Sequence, residues 1–304
     1  MTLLAPIALF AYNRPTHMRR AVESLLSNEL APTSDLYIFS DGPRNSAQEP
    51  AIADVRRYAN SVSGFRSVTV VERATNLGLA NSIIDGTTRL TKEFDRVIVV
   101  EDDLVVSPRF LEYMNRALER YQDDDSAMQV SGYMFPVDIG AEADAFFMPF
   151  TTSWGWATWE RAWRHFDPDM REFDALSSNR QLRDRFNLGG AYDYFGMLER
   201  QRGGSIDSWA IRWYLSVFMR DGLTLYPART LVRNIGFDGS GTHCVDADFE
   251  QASMQPDFHV EKFPPLVQLH PDWKKVLAAM PARRGRPGDL IRKAVSRAGK
   301  MLRS

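Results

Sequence analysis

Three consecutive carboxylates, Glu101, Asp102 and Asp103, follow an uninterrupted run of β-branched residues at positions 97–100. Negative charges held side by side next to an apolar core repel one another, and a bound divalent cation is the usual way to relieve that repulsion. Carboxylate oxygens are hard ligands, which favour Mg²⁺ or Mn²⁺ over zinc. The triplet therefore predicts a metal site. The alternative is a solvated acidic cluster that caps the helix after it.

Polar residues also follow the three earlier apolar runs of the chain. In open α/β sheets ligands bind beyond the carboxyl ends of the strands, so we expect one crevice to gather these residues together with the carboxylates. They are Asn13 and Arg14 after the first run, Asp41 after the second, and Asn76 and Gly78 after the third.

The elements that must position these residues alternate in type. Apolar runs at 6–12, 36–39, 68–71 and 97–100 predict strands, and residues 18–26, 52–58 and 79–90 show helical spacing. This βαβα order predicts an α/β fold with a mostly parallel central sheet flanked by helices. The alternation is lost after residue 125, where short strands, loops and aromatic clusters follow.

Several familiar catalytic motifs are missing from the sequence. It has no G-x-x-x-x-G-K-[ST], no G-x-G-x-x-G after the first strand, no H-E-x-x-H and no G-x-S-x-G. Their absence argues against P-loop hydrolases, dinucleotide oxidoreductases, zincins and serine hydrolases. A nucleoside diphosphate held through a metal ion, rather than by a glycine cradle, is what remains.

The composition is that of a globular protein. Of the 304 residues, 44% are hydrophobic and 25% are charged, and a single cysteine, Cys244, excludes an intramolecular disulfide. No run approaches the roughly 20 apolar residues that a membrane-spanning helix needs. We therefore expect a cytoplasmic location.

The charge is unevenly distributed along the chain. Residues 274–304 carry ten basic residues and one acidic residue, a net charge of +9, which leaves about −11 for the rest of a chain whose total is −2. Residues 288–304 form a basic amphipathic pattern, which predicts a C-terminal helix that contacts anionic lipid at the inner face of the cell membrane. The alternative is a helix packed on the body. We expect no nucleic acid partner.

Five segments of the chain resemble a known family, the nucleotide-sugar-dependent glycosyltransferases with the GT-A (Rossmann-like) fold. Within it the resemblance is to N-acetylglucosaminyltransferase I and to related bacterial family 2-like glycosyltransferases. The most specific segment is E-D-D-L-x-x-x-P-x-F-x-E-Y. The segments are residues 6–15, 40–42, 99–113, 154–156 and 233–243.

The resemblance implies roles for individual residues. Glu101, Asp102 and Asp103 look like the D-x-D-type motif, with Asp103 as the direct ligand of Mn²⁺ or Mg²⁺ and the other two bonding the ribose or metal-bound water. Asp41 would accept from a uracil imide, and Arg14 would lie beside the nucleotide. The remaining residues expected around the nucleotide sugar or its metal are Ala11, Asn13, Asn76, Gly78, Trp156 and His243.

For three of these residues a purely structural role is the alternative. Arg14 suits a surface salt bridge, Asp41 suits a turn, and His243 lies in a glycine-rich loop where local hydrogen bonding is common. Trp154 and Trp156 flank a glycine and suit a sugar-stacking platform, because aromatic faces pack against pyranose rings. Trp159 and Trp163 are expected in the core.

An inverting transferase needs a base that takes the proton of the acceptor hydroxyl. Asp207 is the candidate, in a segment that resembles the family's base-containing segment. Alignment of Trp209 puts Ser208 where the family has its catalytic aspartate, with Asp207 one residue earlier. Both residues would also be good N-caps of the following helix.

These observations predict a donor half over residues 1–125, an acceptor half over 126–275 and a basic tail over 276–304. The predicted function is metal-dependent, inverting transfer of a hexose or N-acetylhexosamine from a UDP-linked donor to a glycan or lipid-linked acceptor, in bacterial surface polysaccharide synthesis. Two alternatives stay open. One is a sugar-phosphate nucleotidyltransferase, and the other is a non-catalytic protein that binds carbohydrate or membrane.

Overall fold

The computed structural model describes residues 4–140, 142–239 and 251–280. The predicted C-terminal helix and His243 lie outside these ranges. In the first half strands and helices alternate as the sequence predicts. The elements are β1 (Ile7–Ala11), α1 (Pro15–Leu26), β2 (Asp35–Ser40), α2 (Glu49–Ser61), β3 (Ser67–Glu72), α3 (Gly78–Phe94), β4 (Arg96–Glu101), β5 (Leu104–Val106) and α4 (Phe110–Arg120).

The second half has shorter and less regular elements. Helices here are brief, and strands that are separated in sequence become neighbours in space. The elements are β6 (Ala127–Ser131), β7 (Ala145–Met148), β8 (Trp156–Trp159), α5 (Glu160–Trp163), α6 (Phe173–Ser178), α7 (Arg180–Phe186), α8 (Tyr194–Arg202), α9 (Trp209–Phe218), β9 (Leu223–Pro227) and β10 (Val232–Asn234).

One eight-stranded sheet runs through both halves, in the order β3-β2-β1-β4-β8-β6-β9-β7. The first four strands are mutually parallel, and β4 pairs with β8 in antiparallel fashion. β7 is also antiparallel to its neighbour, whereas β6 and β9 are parallel to each other. The prediction of an α/β fold with a mostly parallel sheet is thereby confirmed, with β8 and β7 as the reversed strands.

Successive side chains along each strand point to opposite faces of the sheet, as the pleat requires. Leu9 and Val100 face α1, α2 and α4, whereas Ala8, Phe10 and Val99 face α3 and α9. The uniformly apolar run at 97–100 is buried on both faces, as predicted for a central strand.

Local sequence explains where the helices next to the site begin and end. Pro15 occupies the first turn of α1, where its missing N–H is not needed. α3 begins at Gly78, whose φ of +76° is in the left-handed region, and its C-cap, Asp95, is also left-handed. In the described ranges no helix has the length and apolar character needed to cross a membrane.

Candidate functional site

A cleft of about 560 Å³ opens at the carboxyl ends of β1, β2 and β4. The start of α3 and the connection from α8 to α9 both contribute to its lining. Ten residues that the sequence predicts for the site line this one cleft. They are Ala11, Asn13, Arg14, Asp41, Asn76, Gly78, Glu101, Asp102, Asp103 and Asp207.

Arg14 joins the end of β1 to the carboxylates that follow β4. Its Nη2 pairs with Asp102 and lies 3.0 Å from Asp103 Oδ2. Asp102 is almost completely buried and also accepts a hydrogen bond from the backbone N–H of Tyr12, at 3.2 Å. A guanidinium and two carboxylates thus form one charged cluster on the cleft wall.

Burial sets the protonation behaviour of the cluster. It raises the pKa of Asp102 to about 6, because the attraction of Arg14 only partly offsets the loss of solvent and the repulsion of Asp103. Burial also raises the pKa of Glu101 well above its usual range, with further contributions from its two acidic neighbours. For Arg14 burial works against the charge, but the two aspartates outweigh it and the pKa is raised. The cluster holds more negative charge than one arginine compensates.

Asp103 is enclosed by a second pair of strands. β5 and β10 pair in antiparallel fashion, and Ile235 N–H donates to the carbonyl of Asp103 at 2.8 Å. Gly236 lies so close that a Cβ there would be 2.5 Å from Asp103 Oδ2. The glycine therefore allows the chain after β10 to pass over the carboxylate.

Asp41 organises the start of α3. Its Oδ1 accepts from the N–H groups of Gly42 and Leu77, and its Oδ2 accepts from Gly78, each at 2.9 Å. A carboxylate at this point satisfies backbone donors that a helix N-terminus leaves without partners. The structural role considered for Asp41 is therefore present, and the predicted contact with a base stays a prediction.

A network at the cleft rim includes side chains that the sequence analysis did not single out. Asn76 Nδ2 donates to the carbonyl of Gly42 at 2.8 Å, and Asn76 Oδ1 accepts from Arg44 Nε at 3.1 Å. The Arg44 guanidinium lies over the ring of Tyr12, 5.8 Å from its centroid. The signal in the sequence is their position: Tyr12 directly follows β1, and Arg44 lies in the connection after β2, four residues beyond Ser40.

Asp207 lies in the connection before α9 and also lines the cleft. Its Oδ1 accepts from Arg212 Nη2 at 2.9 Å, and its carboxylate is well exposed. Ser208 caps α9, since its Oγ accepts from Ile211 N–H at 3.4 Å. Capping therefore falls to Ser208, and the Asp207 carboxylate pairs with Arg212 instead.

The two tryptophans around Gly155 have different positions. Trp156 is completely buried in β8 and stacks on Trp209, with ring centroids 5.0 Å apart. The expectation that Trp156 touches a donor is therefore corrected, because β8 is a central strand whose side chains are covered by helices. Trp154 lines the cleft and packs edge-on against Phe237 at 5.7 Å. Trp159 and Trp163 lie in the core, as predicted.

Comparisons with known proteins place the chain in a family. A family model described as glycosyl transferase family 2 matches residues 7–198. Among solved structures, the chain is similar to the mannosyltransferase PcManGT from Pyrobaculum calidifontis in complex with GDP-Man and Mn²⁺, with 13% identity, a TM-score of 0.36, and 52% and 45% of the two chains covered. It is also similar to residues 1–349 of S. aureus TarS, with 11% identity, a TM-score of 0.39, and coverage of 75% and 59%.

The chain spans about half the length of these solved structures. The family model, in contrast, covers nearly two thirds of this chain, including β1 to β4, the acidic triplet and the start of α8. The closer likeness to N-acetylglucosaminyltransferase I stays a prediction. The chain belongs to glycosyl transferase family 2 and has the GT-A fold.

Proposed function

We propose that this protein transfers a hexose or N-acetylhexosamine from a UDP-linked donor to a hydroxyl of a glycan or lipid-linked acceptor, in the synthesis of a bacterial surface polysaccharide. Transfer would invert the anomeric carbon and depend on a divalent metal ion. One observation carries the proposal. Arg14, Asp102, Asp103 and Asp207 line the same cleft, and the first three form one charged cluster.

The donor set fits Mn²⁺ or Mg²⁺. Asp103, with Asp102 beside it, offers hard oxygen ligands in a cluster with excess negative charge, and such ions are commonly held by one or two carboxylates together with substrate phosphates. Within the described ranges, no three His, Cys, Asp or Glu side chains gather in one metal-binding set. The remaining ligands would come from the diphosphate and water. When bound, the ion would act as a Lewis acid for the leaving diphosphate.

The nucleoside would lie beside the start of α3. Asp41 Oδ2 accepts one backbone hydrogen bond, which leaves it able to accept a second from the imide N–H of uracil. Asn76 and Gly78 line the cleft next to it. The side chain of Asp41 would thus hold both the loop and the base.

Asp207 would be the general base. The acceptor oxygen forms a bond to the anomeric carbon, the bond from that carbon to the diphosphate oxygen breaks, and the proton of the acceptor hydroxyl moves to Asp207. Arg212 orients the carboxylate through the 2.9 Å bond, and it is itself fixed by Nε donating to the carbonyl of Ser208 at 3.2 Å. A base that is positioned in this way contributes about 10²- to 10⁴-fold to the rate.

Two measurements test the proposal. The first is the thermal stability of wild type and Asp103→Asn with UDP and with GDP, each with and without Mn²⁺. A metal-dependent increase in Tm with one nucleotide, lost in the variant, is expected; a ligand at about 100 times its Kd adds about 2.7 kcal/mol of stability. The absence of any increase in the wild type would refute donor binding.

The second measurement is the release of nucleoside diphosphate from a panel of nucleotide sugars, with water as the acceptor. Asp207→Asn should lower the release rate at least 100-fold while the affinity for the nucleoside diphosphate is retained. Asp174→Asn is the matched control, because Asp174 is also an exposed aspartate paired with an arginine, Arg202, and it does not line the cleft. An equal loss in both variants would refute the role of Asp207 as the base.

A further inference from the structure

The hydroxyl groups of α3 differ in how they are satisfied. Thr91 Oγ1 donates to the carbonyl of Thr87 one turn earlier, at 2.8 Å, and Thr88 Oγ1 accepts from Trp163 Nε1 at 2.9 Å. Ser82 Oγ and Thr87 Oγ1 are buried and have no hydrogen-bond partner among the described residues. A buried polar atom without a partner is costly, by about 1–3 kcal/mol, and native proteins contain few of them.

The cleft distinguishes Ser82 from Thr87. Ser82 is only 5% exposed, yet it lines the cleft, whereas Thr87 is completely buried and does not. Of the two residues only Ser82 borders the cleft, so a group bound there can meet the Ser82 hydroxyl once that side chain turns outward, but it cannot reach Thr87. The missing partner of Ser82 is a feature of the cleft rather than of the core.

The position of Ser82 indicates which part of a ligand it would meet. It lies one turn after Gly78 on the same side of α3, and Phe10 and Phe39 line the cleft there with their rings stacked at 5.0 Å. An apolar floor with a single hydroxyl suits a flat base and its ribose. The charged cluster that suits a diphosphate lies beyond the ends of β1 and β4, at Arg14 and Asp103.

We propose that Ser82 Oγ hydrogen-bonds the nucleoside part of the donor and thereby contributes to donor affinity and to selection of the nucleotide. This inference rests on the proposed function. Ser82 is a binding residue and takes no part in proton transfer. Among the described residues its hydroxyl has no partner, and the bound nucleoside would supply one.

The test compares Ser82→Ala with Thr87→Val, since each removes one hydroxyl without a partner from the same helix. Affinities for UDP, GDP and inorganic pyrophosphate are measured by calorimetry in the presence of Mn²⁺, and Tm is measured without ligand. Ser82→Ala should raise the Kd of the preferred nucleotide about five- to tenfold and leave the Kd of pyrophosphate unchanged. Thr87→Val should change neither Kd.

The Tm without ligand gives a second readout. Loss of a buried hydroxyl without a partner should leave the Tm of Ser82→Ala unchanged or raise it, whereas a structural role would lower it. Unchanged nucleotide affinity in Ser82→Ala, or an equal loss for pyrophosphate, would overturn the inference. If the wild type binds neither nucleotide, the proposed function itself fails, and this result is separate from the comparison of the variants.

Discussion

The guanidinium of Arg14 lies 3.0 Å from the carboxylate of Asp103 and pairs at the same time with Asp102. All three side chains are largely buried from solvent. In this arrangement Arg14 compensates the charge that a divalent ion would also compensate. We therefore expect metal binding and the stability of the folded protein to be coupled through these two aspartates.

Replacement of Arg14 by methionine should destabilise the metal-free protein by about 2 kcal/mol, because two buried carboxylates then lose their cation. Mn²⁺ should restore much of this stability, so the increase in Tm on adding Mn²⁺ should be larger in Arg14→Met than in the wild type. Arg66→Met is the control, since Arg66 pairs with Asp35 at the surface. An identical response to Mn²⁺ in all three proteins would contradict the linkage.

The raised pKa of Asp102 predicts a pH-dependent stability. The folded-state pKa of about 6 exceeds the roughly 3.9 expected in the unfolded chain, so the folded protein binds this proton more tightly. The free energy of unfolding should therefore fall as pH rises from about 4 to 6, by about 3 kcal/mol from this group. Glu101 acts in the same direction.

Urea unfolding in EDTA at several pH values measures this effect. Between about pH 4.5 and pH 7, the stability of Asp102→Asn relative to the wild type should improve by about 2 kcal/mol, because the variant lacks the titrating carboxyl. Parallel curves for the two proteins would show that burial does not perturb Asp102 in this way.

Gly236→Ala should disturb the acidic cluster without changing any charge. The new Cβ would lie 2.5 Å from Asp103 Oδ2, so the carboxylate has to move. We expect at least a tenfold loss of Mn²⁺-dependent affinity for the nucleoside diphosphate, measured by calorimetry. Gly140→Ala is the control, because a Cβ there meets open space and only the φ of +70° is strained, at a cost of about 1 kcal/mol. Wild-type affinity in Gly236→Ala would contradict the expected movement of Asp103.

The two tryptophans around Gly155 should respond to substitution in opposite ways. Trp156→Phe should lower the free energy of unfolding by about 1–2 kcal/mol, through lost volume in the core, and leave nucleotide affinity unchanged. Trp154→Ala should instead lower the rate of donor turnover, because Trp154 lines the cleft. Chemical denaturation and donor turnover, measured on both variants, separate the two roles. A lower nucleotide affinity in Trp156→Phe would return that residue to the site.

The first half of the fold could be predicted because its signals are local. Each apolar run of β-branched or aromatic residues became a strand, and the polar residues after β1, β2 and β4 line the cleft. The second half could not be predicted in the same detail. β8 inserts between β4 and β6 and runs antiparallel to both, and such a pairing depends on contacts between residues far apart in sequence.

The site shows the same limit. A carboxylate after a strand is visible in the sequence, but the three backbone donors that Asp41 satisfies are not. Trp156 was misplaced because its sequence neighbours suggest a loop, whereas strand pairing buries it. Ser82 was overlooked because a serine inside a helix carries no sequence signal, and only the path of α3 along the cleft gives it a role.

The pairing of β4 with β8 has a mechanical consequence. These strands join the part of the sheet that carries the Arg14 cluster to the part that leads to Asp207, through four paired positions. The two halves of the sheet cannot separate as rigid bodies without breaking this ladder. Movement that admits substrates or releases products must therefore come from the connections that line the cleft rather than from separation of the two halves of the sheet.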